Sequence, residues 1–209
     1  MVLRLPFSAG LLCVLAACSS GPKQPDWQLE AKGSTDRAVA AYLEGNTRVE
    51  AVEFTRARSE ISATGNINLM ARAELLRCAT RVASLVFEPC AGFEKLRQDA
   101  APAERAYADY LAGAVPERPA AVGPSAGEAL SQLVAAGVQL RTGNASPALI
   151  QQAVDTASAQ GWRRPLLAWL GVQASLAEKA GDVAEAARLR RRIELTANEV
   201  KPAALVVKP

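Results

Sequence analysis

Beyond residue 30 the chain shows almost no two-residue alternation of apolar and polar positions. Apolar residues recur instead every three or four positions, the spacing that lines one side of an α-helix. Val49, Val52, Ala57 and Ile61 define one such face, and Leu69, Ala73, Leu76, Ala79 and Ala83 define the next. Between the periodic segments Gly is followed by Asn or Asp, at Gly45-Asn46, Gly65-Asn66, Gly143-Asn144 and Gly181-Asp182. Gly closes a helix in the left-handed conformation, and an Asn or Asp side chain can cap the helix that follows. Each pair therefore predicts a tight helix–turn–helix joint, and short joints force antiparallel neighbours. The expected fold class is all-α, built from antiparallel helical hairpins.

The stretch "GAVPERPAAVGPSAG", residues 113–127, interrupts this pattern, because Pro116, Pro119 and Pro124 forbid a continuous helix. It reads as a connector between an N-terminal helical unit, 31–112, and a C-terminal hairpin unit, 128–199. The last residues, 200–209, form an apolar tail flanked by prolines. "SSGPKQPDWQLE" at 19–30 reads as a polar tether, with Trp27 the first packing residue.

The C-terminal unit repeats itself. "AAGVQLRTGNASPALIQQA" and "ASLAEKAGDVAEAARLRRR" align at an offset of about 38 residues. Ala136 then matches Ala174, Gly143 matches Gly181, and Ala148 matches Ala186. The stretch "WLGVQASLAEKAGDVAEAARLRRRIEL" resembles a tetratricopeptide repeat. Leu170, Ala174 and Ala177 fall on first-helix positions that the family keeps apolar or small, and Ala186 on the small position of its second helix. Arg190 departs from the pattern, standing where the family prefers an aromatic. The resemblance implies hairpin stacking in the C-terminal third, with a concave face able to hold a segment of a partner protein.

Residues 1–17 read as a secretory signal, in which Arg4 precedes the apolar run "LPFSAGLLCVLAA" and small residues close it. The run is shorter than the roughly 20 residues a membrane span requires. "LAAC" at 15–18 resembles the lipobox of bacterial lipoproteins. That resemblance implies cleavage before Cys18, acylation of its thiol and new amino terminus, and a lipidated tether over 18–30. Ser19 in place of Asp implies the outer rather than the inner membrane. Acyl chains supply about 0.8 kcal/mol per buried CH₂, so three of them exceed what stable anchoring needs.

Composition narrows the chemistry. About 190 residues remain after the signal, enough for one fair-sized domain or two small ones. Hydrophobic residues make up 50% but aromatics only 5%, which suits closely approaching helices. Removal of Arg4 lowers the formal charge of +3 to about +2, too little to imply nucleic acid. The chain has no histidine, which excludes histidine-activated nucleophiles and histidine-ligated zinc. No cofactor or metal is expected. Cys13 leaves with the signal and Cys18 is taken by the lipid, so Cys78 and Cys90 remain in an oxidising compartment. A structural disulfide is expected there. A reactive thiol pair is the alternative, but the CxxC spacing of redox sites is absent.

The remaining candidates each have an ordinary explanation. Ser175 and Lys179 stand one turn apart, four residues rather than three, next to a helix end. Glu53 with Glu60, or Glu74 with Glu88, could be proposed for glycan hydrolysis, but nothing singles them out from solvated helix-surface carboxylates. "ARLRRRIE" fans arginines around the last helix, so that Arg188, Arg191 and Arg192 could meet anionic lipid headgroups or an acidic protein, or pair with Glu185 and Glu194. Trp162 and Trp169 flank "RRPLLA" as core packing or as partner-binding aromatics. The expectation is a non-enzymatic envelope lipoprotein with a protein partner. A peptidoglycan-acting or peptidoglycan-binding lipoprotein and a purely structural one are the alternatives.

Overall fold

A computed structural model describes residues 25–114 and 128–198. The signal, Cys18, most of the 113–127 connector and the 200–209 tail lie outside the described residues. All regular structure within them is helical, in the order α1 (Asp26–Glu44), α2 (Thr47–Ser62), α3 (Ile67–Ala83), α4 (Ala91–Glu94), α5 (Pro102–Leu111), α6 (Glu128–Arg141), α7 (Pro147–Ala159), α8 (Arg163–Lys179) and α9 (Val183–Asn198). None of these helices is long and apolar enough to cross a membrane.

The joints follow the chemistry of their residues. Gly45 takes φ 94° after α1, and Asn46 accepts the Val49 amide at 3.1 Å to cap α2. Asn66 caps α3 in the same way through Leu69, and Asp182 accepts the Glu185 amide at 2.9 Å. The joint after α6 is different. Gly143 is left-handed at φ 77°, but Ser146 rather than Asn144 caps α7. A fifth joint, at Gly161 and Trp162, has no side-chain cap.

That longer third joint corrects the repeat alignment. The 38-residue offset holds for the first helices, where Ala136 and Ala174 are both buried. In the second helices it slips by two residues, because the caps are Ser146 and Asp182. Ile150, not Ala148, is the buried equivalent of Ala186, and Ala148 is exposed.

α2 also sits in a different rotation from the one its valines suggest. Glu50, Phe54, Ala57 and Ile61 face inward, while Val49 and Val52 are 41% and 55% exposed. The reason is a charge the apolar pattern does not register. Glu50 is 2% exposed and receives the Arg77 guanidinium of α3 at 2.7 Å, with Arg81 at 3.5 Å. Glu74 pairs with Arg58, and Glu104, fully buried, pairs with Arg72 at 2.7 Å. Three buried carboxylates thus tie α3 to α2 and α5, each needing its cation to be tolerable inside the protein.

The two sequence-defined units share one core. Tyr42, Leu75, Phe93 and Tyr110 from the first half pack in the same cluster as Leu133, Val154, Trp169 and Leu189 from the second. α3 lies against α1, α2, α4, α5 and α6, while α8 lies against α7, α9 and α1. Chain contacts therefore run from α1 through α3, α6, α7 and α8 back to α1, closing a ring. A smaller cluster of Ala31, Ala38, Phe54, Ile61, Met70 and Ala73 fills the space under α1 and α2, with Trp27 against it. The polar stretch assigned to a tether is already helical from Asp26.

α3 ends at Ala83 with an unusual exit. Leu85 has φ 60°, and the Val86 amide donates to the Arg81 carbonyl at 2.9 Å in the six-to-one bond of a Schellman closure. Leucine in the left-handed region costs about 1–2 kcal/mol, offset here by a half-buried side chain packed on the main core. Beyond it Cys90 returns to α3 and bonds to Cys78, with Cα atoms 5.9 Å apart.

Candidate functional site

The concave face of the C-terminal hairpins is where a partner segment was expected. Part of α6 and α8 is covered by the chain itself, α3 and α5 lying on α6 and α1 on α8. α6 crosses α3 so closely that a Cβ on Gly137 would stand 2.4 Å from the Val82 carbonyl oxygen. On α8, Trp169 is fully buried and donates its indole N–H to the Ala83 carbonyl at 3.0 Å. Trp169 is therefore a core residue joining the two halves and is closed to any partner. Trp162 is half-buried at the start of α8 and packs on the same core.

The arginines of α9 do fan around the helix. Arg188 holds Glu185 in a two-pronged pair at 2.7 and 2.5 Å, which lowers the Glu185 carboxyl from its ordinary value, chiefly through that hydrogen bond. Arg190 reaches Glu178 of α8 at 2.6 Å, and Arg192 approaches the Ser158 hydroxyl at 3.4 Å. Arg191 is exposed, with no carboxylate partner among the described residues. Exposed pairs of this kind contribute little to stability and leave these side chains free to re-pair.

Of the carboxylates considered for catalysis, Glu53 is held by Arg37 at 2.9 Å and by Arg56 at 3.3 Å. Glu74 is buried on its arginine and abuts Gly92, where a Cβ would overlap its carboxylate. Glu88 is exposed within the loop that the disulfide closes. Ser175 and Lys179 are both exposed, and no hydrogen bond joins them. Among the described residues no cluster of three acidic or cysteine side chains is arranged to hold a metal ion.

A feature absent from the sequence reading emerges where the α1–α2 turn meets the start of α8. Arg164 donates to the Tyr42 carbonyl at 2.7 Å and to the Thr47 hydroxyl at 2.8 Å. Its guanidinium lies 4.3 Å from the centre of the Tyr42 ring, and that of Arg81 lies 4.9 Å from the same centre. Burial pushes the Tyr42 phenol up from its ordinary value, and the two arginines and a hydrogen bond with Ser84 partly oppose this. Arg163 lies over Gly45, its Nη2 3.1 Å from where a Cβ would project, so glycine both makes the turn and leaves room for the guanidinium. A cavity of about 10 Å³, the size of one water, lies behind this junction among Thr35, Tyr42, Glu50, Phe54, Arg77 and Thr80. No signal in the sequence links residues 42–48 to 163–164, because they are joined only by the closing of the helical ring.

Compared with known protein families, curated proteins and solved structures, the chain matches none.

Proposed function

We propose that this chain is a lipid-anchored protein of the bacterial cell envelope, held at the periplasmic face of the outer membrane through Cys18, that works as a non-enzymatic interaction protein. The observation that carries this reading is the Cys78–Cys90 bridge. The only two cysteines left after a signal and an anchor are subtracted are bonded to each other, as export to an oxidising compartment requires. "LAAC" supplies the matching anchor sequence. The ion-paired state of Glu53 and Glu74 supports a binding role over a hydrolytic one, since both carboxylates are already engaged by guanidinium groups. With α6 and α8 partly covered by the chain itself, partner contacts fall to the outer surfaces: α9 with its arginines, the exposed side of α2, and the arginine junction at the α1–α2 turn.

The test combines labelling and capture in a Gram-negative host. Wild type takes up labelled palmitate and fractionates with the outer membrane, while Cys18→Ala does neither. Cross-linking in the intact envelope then recovers a discrete protein with the wild type alone. Palmitate incorporation by Cys18→Ala, or recovery of glycan fragments without protein, overturns the reading.

A further inference from the structure

We propose that the junction of the α1–α2 turn with α8 is a binding site for a phosphate-bearing anion, held by Arg48, Arg163 and Arg164 with Arg81 behind them. Among the described residues the arginines at 37, 56, 58, 72, 77, 81, 97, 188 and 190 each stand within ion-pair distance of a carboxylate. Arg48, Arg163 and Arg164 are not, among the described residues, nor are Arg105, Arg141, Arg191 and Arg192; but Arg163 and Arg164 meet at the α1–α2 turn, immediately beside which Arg48 stands at the start of α2.

Arg164 and Arg163 both lie across residues 42–47, and Arg48 is exposed directly after the Thr47 hydroxyl that Arg164 holds. Arg81 stacks on the same Tyr42 ring as Arg164, but its charge is matched by Glu50. The carboxylates nearby are two. Glu50 is buried and committed to Arg77 and Arg81, and Glu44 is exposed on the last residue of α1. Arg163, Arg164 and the neighbouring Arg48 thus outnumber the one exposed carboxylate, Glu44, an excess that favours an outside anion.

Arg164 is already positioned by two hydrogen bonds to the turn, so little of its freedom remains to be lost on binding. The planar fork of a guanidinium suits a tetrahedral phosphate, which can take several such donors at once. A dianionic phosphomonoester matches the local charge excess better than a single carboxylate. All four arginines belong to the folded body, so the outcome is independent of what happens at Cys18.

The test uses the chain from Ser19 onward, which contains every helix described, with its disulfide formed. Inorganic phosphate is titrated calorimetrically at ionic strength held constant with chloride. Saturable binding is expected, weakened about tenfold or more in Arg48→Ala/Arg163→Ala, as loss of charge-assisted bonds implies. Lys95→Ala, exposed just after α4, leaves it unchanged. Should the double variant melt early, Arg163→Glu replaces it, since no hydrogen bond of the fold depends on that side chain. Flotation with phosphatidylcholine vesicles, with and without phosphatidic acid, then identifies the source. Arginine-dependent capture by phosphatidic acid assigns the phosphate to a lipid headgroup, and phosphate binding without capture assigns it to a soluble phosphate ester. Heat no greater than chloride produces, or equal binding by wild type and the arginine variants, overturns the proposal.

Discussion

The indole N–H of Trp169 donates to the carbonyl of Ala83, 86 residues away in sequence and 3.0 Å away in space. Ala83 is the last residue of α3, where carbonyls have run out of helical donors. The tryptophan satisfies one of them from inside the core while filling the space between the two halves of the chain. Trp169→Phe keeps most of the packing and leaves the carbonyl without that donor, so a loss of about 1–3 kcal/mol is expected. Trp169→Ala removes the side chain as well, at about 3–5 kcal/mol. Urea unfolding followed by circular dichroism measures both. Because the core is shared, each variant shifts a single transition; a new separate transition for one half would contradict the continuous core.

Two glycines inside helices make opposite predictions. Gly137 of α6 faces the α3 backbone, and a Cβ there would meet the Val82 carbonyl oxygen at 2.4 Å. Gly171 of α8 has nothing within 4 Å of the same position. Gly171→Ala therefore gains the helix preference of alanine, about 0.5–1 kcal/mol, with no steric penalty. Gly137→Ala forces α6 away from α3 and destabilises by about 1–3 kcal/mol despite that same preference. Melting temperatures that move in the same direction for both variants would refute the close crossing.

Reduction of the Cys78–Cys90 bond tests the exit from α3. The bond closes a short loop, with a sequence separation of 12, and constrains the unfolded chain by about 3 kcal/mol in the entropy treatment. Cys78→Ser/Cys90→Ser should lose that amount in equilibrium unfolding, and wild type in reductant should match it. Hydrogen exchange should rise first at the amides of Leu85 and Val86, whose closure onto Val82 and Arg81 the bridge backs up. Unchanged exchange there would assign the bond to global stability alone.

The hairpin joints were legible because their chemistry is local: Gly45, Gly65, Gly143 and Gly181 all lie in the left-handed region. The all-helical class followed from spacing for the same reason, whereas the pairing of Cys78 with Cys90 followed from subtracting the other two cysteines. Glu50 shows where that reasoning stops. A glutamate reads as surface in any apolar pattern, and only its arginines, 27 and 31 residues on, reveal why it turns inward and carries α2 with it. Asn144 and Ser146 are both good caps for α7, and the two-residue difference in joint length decides between them only in space. The partial covering of α6 and α8 was beyond reach altogether. Nothing near Gly137 or Trp169 in sequence announces that α3 will arrive there.

Acid should weaken the fold through a pair at the end of the short α4 helix. Arg97 grips Glu94 with two hydrogen bonds, at 2.7 and 2.9 Å, and these hold the Glu94 carboxyl below its ordinary value. A carboxyl depressed in the folded state contributes stability above its unfolded pKa, about 4.3. That contribution is lost as pH falls through the lower, folded value. Urea midpoints measured from pH 6 down to pH 3 should therefore fall below about pH 4.3, and Glu94→Gln, which has no charge to lose, should fall less steeply. Arg97 also meets Asp109 of α5 at 3.0 Å, so part of the slope persists in the variant. The difference between the two curves should shrink in high salt, because both partners are substantially exposed. Parallel curves across this range would mean that the Glu94–Arg97 pair makes no contribution to folding.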